Sequence, residues 1–180
     1  IVLFSSLPLM LKGSRLFCWL STAYLIIYLA AYELLARMAE TSPIIPYELS
    51  KYLMFALLLL GIAQGSAKGN RGWWLLLLLL PAIALDESGL IDDYRYYVFN
   101  LLGPVNVALA VVFFTRLPLS EEHLTSQLRL LLFPLLAALS FTYVSTPNYD
   151  EIEFSLGANF ATAGGFGSNQ VSTALGLGLF

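Results

Sequence analysis

The chain has 180 residues, of which 58% are hydrophobic and only 12% are charged, and its formal net charge is −3. Because soluble domains carry about 25% charged residues, this composition excludes an ordinary soluble domain and indicates a polytopic membrane protein. A single cysteine, Cys18, excludes an internal disulfide, and together with the single histidine, His123, it is too little for a Cys/His metal site. We therefore expect no metal, no other cofactor and no nucleic-acid partner.

Apolar segments separated by short polar links follow one another along the whole chain. They are A (about Leu16 to Ala36), B (about Leu49 to Ala67), C (about Trp73 to Leu85), D (about Tyr96 to Thr115), E (about Leu128 to Thr146) and F (from about Asn169). Since a membrane helix needs about 20 residues, they predict an all-α, polytopic transmembrane helix bundle with about five full spans and a truncated sixth. The link between segments D and E is expected to run from Arg116 to Arg129.

Two segments carry residues that disturb a simple apolar span. Segment C is short and contains Pro81, which is expected to kink it. The apolar pattern of segment D is interrupted by Gly103, Pro104 and Asn106. We interpret Asn106 as a partner in an interhelical hydrogen bond, a common role for an amide inside a membrane helix.

The basic residues predict an orientation in the membrane. If segments A to F alternate across the bilayer, most of the basic residues share one side, which the positive-inside rule identifies as cytoplasmic. Those on the first side are Lys12, Arg15, Lys68, Arg71, Arg116 and Arg129, and those on the other are Arg37, Lys51 and Arg95. The N-terminal end is therefore expected in the cytoplasm, and this pattern favours segment C as a true span.

The two ends of the sequence also carry information. It begins with Ile1 instead of methionine and ends inside the apolar run 174–180. We expect one transmembrane domain, residues 1–180, that forms the N-terminal part of a longer protein. No oligomeric state is predicted.

One stretch, residues 159–173, differs from all the others because it combines three glycines with two asparagines, a glutamine and several hydroxyls. Glycines allow a tight turn and a close approach to a ligand, and the start of a helix offers free N–H groups to an anion. The candidate substrate-binding residues are Asn159, Gly164, Gly165, Gly167, Asn169 and Gln170. For Ser172, Thr173 and Gly176, at helical spacing from Asn169, we favour close packing against another helix.

The run Gly164–Val171, at the start of a membrane helix after a polar loop, resembles the Gly-Phe-x-x-Asn region of the O-antigen ligase and polymerase superfamily. Many members have proline before the asparagine, where this chain has Ser168. The resemblance implies a GT-C-type glycosyltransferase of the bacterial inner membrane. Such enzymes take a glycan from an undecaprenyl-pyrophosphate carrier to another glycan or to a lipid acceptor, without metal or nucleotide. The family's basic and histidine residues would lie beyond Phe180.

The catalytic residues are not specified, and two candidates lie inside the chain. Arg95 could reach a pyrophosphate, although an interfacial anchor held by nearby carboxylates is the more common role of such a residue. Glu33 lies within segment A, where carboxylates tend to be functional, but it could equally extend to the interface.

Two other functions compete with the glycosyltransferase. A transporter could bind its substrate at a broken helix formed by residues 164–169, but no paired broken segment occurs elsewhere in the chain. A non-catalytic membrane scaffold would use the glycines only for packing. A large external loop with Arg and His in any further sequence would favour the enzyme, and an inverted repeat would favour the transporter.

Overall fold

The computed structural model describes residues 15–40, 46, 48–64, 72–81, 94–115, 117–146, 163 and 167–179. Within these ranges all regular structure is helical, which confirms the predicted all-α class. The helices are α1 (Arg15–Met38), α2 (Glu48–Gln64), α3 (Trp73–Leu77), α4 (Tyr94–Phe114), α5 (Glu121–Ser145) and α6 (Ser168–Gly178).

Three of these helices contain stretches long and apolar enough to cross a membrane: Phe17–Met38 in α1, Tyr97–Phe114 in α4, and all of α5. They correspond to predicted segments A, D and E. Helix α2, from segment B, covers 17 residues, somewhat fewer than the usual span of about 20. The described residues therefore contain three candidate spans, and the expected number of five full spans stays a prediction.

Helix α5 begins well before the predicted start of segment E. We expected a polar link as far as Arg129, but the chain is helical from Glu121 onwards, so this boundary was wrong. Glu121 and Glu122 lie in the first turn, where the positive end of the helix dipole stabilises negative charge. The charged residues that suggested a link are therefore the favourable first turn of a helix.

Segment C is helical only in part. Helix α3 ends at Leu77, after which the Leu79 N–H donates to the Leu76 carbonyl at 3.2 Å, as in a tighter turn. Leu80 and Pro81 are helical again, so the helix is interrupted at Leu78 and Leu79. This agrees with the kink expected from Pro81, which lacks the N–H that would bond to the Leu77 carbonyl in a continuous α-helix. Residues 82–85 of segment C lie outside the described residues, so its role as a full span stays a prediction.

The chain divides into two compact units, with divisions inside α1 and α2. The first unit comprises Ile1–Ile26 and Lys51–Ser120, and the second comprises Ile27–Ser50 and Glu121–Phe180. In the first unit α3 lies along α4. In the second unit α5 and α6 lie side by side.

Close packing in the first unit centres on Gly61 of α2. A Cβ atom at this position would lie 2.5 Å from Cε2 of Phe113 and 3.3 Å from Cγ2 of Thr22. Phe113 and Thr22 are both buried, and the Thr22 hydroxyl donates to the Cys18 carbonyl at 2.8 Å. The glycine therefore lets α2 approach α1 and α4 at a point where no larger residue fits.

The polar side chain of α4 confirms its predicted role. The Asn106 Nδ2 group donates to the Lys51 carbonyl of α2 at 3.1 Å, so it forms the expected interhelical hydrogen bond. Nearby, the Lys51 ammonium lies 4.0 Å from the centroid of the Phe99 ring of α4. Helix α4 remains helical through Gly103, Pro104 and Asn106, so the interruption of its apolar pattern does not interrupt the helix.

In the second unit, the core joins the end of α1 to α5 and α6. Its buried members are Met38, Ala138, Ala163 and Val171. Half-buried apolar side chains surround them: Leu34, Leu35, Phe141 and Leu175. This cluster fixes the start of α6 against two longer helices.

Candidate functional site

The first turn of α6 carries three of the candidate residues, Gly167, Asn169 and Gln170. Gly167 is the N-cap residue and no side chain caps the helix. Its carbonyl accepts hydrogen bonds from the N–H groups of Gln170 at 3.0 Å and Val171 at 3.2 Å. Within the described residues the N–H groups of Ser168 and Asn169 have no hydrogen-bond partner. The helix therefore begins with two N–H donors that no described residue uses, at the positive end of its dipole.

The backbone angles of Gly167 do not require glycine, since its φ of −57° is accessible to any residue. The Gln170 side chain folds back so that its Oε1 atom lies close to the place where a Cβ at residue 167 would stand. Because this atom is the end of a flexible side chain, it can move aside. The predicted close approach of Gly167 to a ligand stays a prediction.

The Asn169 side chain is exposed, and its backbone carbonyl accepts hydrogen bonds from two side chains. The side chain is exposed, and the carbonyl accepts hydrogen bonds from the hydroxyls of Ser172 at 3.1 Å and Thr173 at 2.7 Å. These two hydroxyls are exposed, and no atom lies within 4 Å of a Cβ placed at Gly176. Within the described residues, the packing role that we predicted for Ser172, Thr173 and Gly176 is therefore not observed.

Val171 holds this turn in place. It is the buried residue of α6 and packs in the cluster with Met38, Ala138 and Ala163. Since it directly follows Gln170, the exposed amides are attached to an anchored point of the helix. A fixed backbone is what a preorganised binding turn requires.

The structure places the two catalytic candidates in different units. Glu33 lies in the second unit, next to Leu34, which packs on the cluster at the start of α6. Its carboxylate forms an ion pair of 2.6 Å with Arg37, one turn further along α1. The backbone of Arg95 lies in the first turn of α4, in the first unit. The remaining candidates, Asn159, Gly164 and Gly165, lie outside the described residues.

One buried polar residue was missed by the analysis of the sequence. Gln127 in α5 is 1% exposed, and within the described residues neither its Oε1 nor its Nε2 atom has a hydrogen-bond partner. It lies in the predicted polar link, residues 116–129. If the helix is taken to start at Glu121, Gln127 shares a helix face with Pro134 and Ala138, seven and eleven residues further on. Both of these residues are buried as well.

Comparison of the chain with protein-family models, with curated proteins and with solved structures found no match. Among the described residues, no three His, Cys, Asp or Glu side chains come together as a metal site would require. A functional assignment therefore rests on the run Gly164–Val171 and on the geometry at the start of α6.

Proposed function

We propose that this protein is a glycosyltransferase of the bacterial inner membrane. It moves a glycan from an undecaprenyl-pyrophosphate carrier to another glycan or to a lipid acceptor, as in the O-antigen ligase and polymerase superfamily. The observation that carries this proposal is the start of α6. There, the described part of the run that resembles the family's Gly-Phe-x-x-Asn region, residues 167–171, forms an uncapped helix terminus with two exposed amide side chains.

The chemistry of transfer explains why such a turn is useful. The acceptor hydroxyl oxygen attacks the anomeric carbon, the bond to the pyrophosphate breaks, and negative charge develops on the leaving group. Preorganised donors aimed at that charge lower the barrier. The N–H groups of Ser168 and Asn169, at the positive end of α6, are donors of this kind, and the exposed Asn169 amide adds a side-chain donor.

The acceptor hydroxyl must also lose its proton, which calls for a general base. Glu33 is the candidate within the unit that contains α6, and its ion pair with Arg37 holds its carboxylate in place. Arg95 remains the candidate cation for the pyrophosphate.

Three helices able to cross a membrane support a lipid-linked substrate. In this proposal the protein is multi-pass, GT-C-like, and has its N-terminal end in the cytoplasm.

Replacement of Asn169 by alanine in cells tests the proposal. We expect Asn169→Ala to abolish surface glycan transfer while the protein remains in the membrane at normal levels, because the exposed side chain contributes no core packing. The matched control is Asn100→Ala, which removes an exposed asparagine side chain from α4. Glycan transfer and membrane levels are measured together for both variants.

Loss of surface glycan transfer in Asn169→Ala, together with normal transfer in Asn100→Ala, would support the proposed site at the start of α6. Normal transfer in Asn169→Ala removes this residue from it. A wild-type protein that moves a solute across vesicle membranes and transfers no glycan would replace the enzyme with the transporter.

A further inference from the structure

The ammonium group of Lys51 lies against the start of α4. Its nitrogen is 4.0 Å from the centroid of the Phe99 ring, a distance at which the face of an aromatic ring attracts a cation. The Lys51 backbone is held separately, because its carbonyl accepts the hydrogen bond of 3.1 Å from Asn106 Nδ2. Lys51, Phe99 and Asn106 all belong to the first unit. The position of this cation therefore follows from two contacts between α2 and α4.

The same two contacts give the direction of the Lys51 side chain. Asn106 and Phe99 are seven residues apart, which corresponds to about 10 Å along a helix. The side chain leaves the level of Asn106 and runs along α4 towards the first turn of that helix. Phe99 is the third residue of the candidate span Tyr97–Phe114, so the ammonium lies near one end of the span. A long basic side chain that reaches the membrane boundary in this way keeps its charge in a polar setting.

Arg95 brings a second basic residue to this end of α4. It stands in the first turn of the helix, four residues before Phe99, and residues at this spacing share one helix face. The Lys51 ammonium therefore lies over a ring that is one turn away from the position of Arg95. Two cations at one membrane boundary repel each other, and an anion that contacts both offsets this repulsion.

The setting indicates which anion fits. A diphosphate carries more than one negative charge and several acceptor oxygens, and lysine and arginine are the residues that bind phosphate oxygens in proteins. The headgroup of a lipid-linked diphosphate lies at the membrane boundary, as the Lys51 ammonium does, while its hydrocarbon tail stays in the bilayer. A pair of cations at an end of a candidate span therefore suits such a headgroup.

We propose that Lys51 binds the pyrophosphate of the undecaprenyl-linked glycan together with Arg95. This inference rests on the proposed function and adds to it a second cation, which was not among the site residues predicted from the sequence. The Lys51 ammonium contacts the phosphate oxygens and stabilises the charge that develops when the bond to the glycan breaks. Phe99 is a positioning residue, because its ring holds the ammonium.

Binding of undecaprenyl pyrophosphate to purified protein tests the inference without any transfer reaction. The variants are Lys51→Gln, which keeps the backbone carbonyl bonded to Asn106, and Lys51→Arg, which keeps the charge. Arg129→Gln is the matched control, since it removes an exposed basic side chain from α5. Each protein is titrated with undecaprenyl pyrophosphate and, separately, with phosphatidylglycerol, an anionic lipid without a diphosphate. Thermal unfolding establishes that each variant is folded.

We expect Lys51→Gln to raise the Kd for undecaprenyl pyrophosphate about tenfold, because a hydrogen bond between charged groups is lost. Lys51→Arg and Arg129→Gln should bind it like wild type, and the Kd for phosphatidylglycerol should hardly change in any variant. An unchanged Kd for undecaprenyl pyrophosphate in folded Lys51→Gln would overturn the inference, as would a wild-type protein that does not bind this lipid. Equal losses for both lipids would also overturn it and would make Lys51 an anchor for anionic headgroups in general.

A second variant changes the position of the cation and leaves both charges in place. Phe99→Leu removes the ring under the Lys51 ammonium, so we expect the Kd for undecaprenyl pyrophosphate to rise about threefold. This rise should be smaller than that in Lys51→Gln. A Kd equal to that of wild type would contradict the positioning role of Phe99.

Failure of this inference can be distinguished from failure of the proposed function. If wild type transfers glycan and the KM for the donor is the same in Lys51→Gln, the proposed function stands and Lys51 is excluded from the site. If wild type binds undecaprenyl pyrophosphate through Lys51 but transfers no glycan, the binding site stands and the glycosyltransferase is contradicted.

Discussion

Helices α4 and α5 are alike in sequence and differ in what surrounds them. Each is apolar, each can cross a membrane, and each contains an internal proline, Pro104 or Pro134. Yet 33% of the apolar window of α4 is buried inside the structure, against 17% for α5. Helices of similar hydropathy therefore bury different fractions of their apolar residues inside the structure.

Their buried amides differ in the same way. Asn106 of α4 donates through its Nδ2 group to a carbonyl of α2 and leaves only its Oδ1 atom unpaired, whereas neither polar side-chain atom of Gln127 of α5 has a hydrogen-bond partner within the described residues. The first amide ties two helices together. The second costs free energy where it stands, because burial removes its water without replacing the lost hydrogen bonds. The predictions below test this contrast.

The largest effect is expected at Asn106. Asn106→Asp keeps the shape but places a carboxylate in a buried position facing the Lys51 carbonyl, so we expect the free energy of unfolding to fall by about 3–5 kcal/mol. Asn106→Leu, which adds no charge and loses one hydrogen bond, should cost about 1 kcal/mol. Thermal unfolding in detergent measures both. Equal stability of the two variants would show that water reaches this position.

The next effect is expected at Gly61. Gly61→Ala forces a Cβ against the buried Phe113 ring and should lower the free energy of unfolding by about 1–3 kcal/mol. Gly176→Ala, where the space is open, should instead raise it by about 0.5–1 kcal/mol, because alanine favours a helix over glycine. The same unfolding assay compares them. A stabilising Gly61→Ala would contradict the close contact between α2 and α4.

Replacement of Gln127 by leucine should change the free energy of unfolding in the opposite direction to the replacements of Asn106. Gln127→Leu removes two unpaired polar atoms and should raise the free energy of unfolding by roughly 0.5–2 kcal/mol. Gln64→Leu, at an exposed position at the end of α2, should change it by less than about 0.5 kcal/mol. A loss of stability in Gln127→Leu would mean that its amide holds a hydrogen bond in solution.

The smallest effect is expected at the ion pair of α1. Glu33 and Arg37 are partly exposed and one turn apart, so a double-mutant cycle with Glu33→Gln and Arg37→Gln should give about 0.3–0.5 kcal/mol. If Glu33 serves as the general base, Glu33→Gln should also abolish glycan transfer while stability hardly changes. Retained transfer would leave Glu33 with a structural role alone.

Much of the fold followed from the sequence because long apolar runs specify helices by composition. Segments A and D match α1 and α4 to within two residues at each end. The start of α5 was predicted wrongly because Glu121 and Glu122 suggested a polar link but form a stabilised first helical turn. The kink predicted at Pro81 agrees with the interruption of the helix at Leu78 and Leu79.

At the candidate site, the structure confirms the predicted start of a helix, and the binding role of its residues stays a prediction. The start of α6 near Asn169 followed from the pattern of residues. The contact of Gln170 with Gly167 did not, because it depends on how one side chain folds. The pairing of Glu33 with Arg37 could have been predicted from their spacing of four.

The most direct test of the proposed function is a transfer assay with purified protein, a glycan linked to undecaprenyl pyrophosphate, and a chelator of divalent metals. The account predicts that wild type and Asn100→Ala release undecaprenyl pyrophosphate and form the glycan product, and that Asn169→Ala forms none although it is folded. Absence of product from folded wild-type protein with every acceptor offered, or full activity of Asn169→Ala, would contradict it.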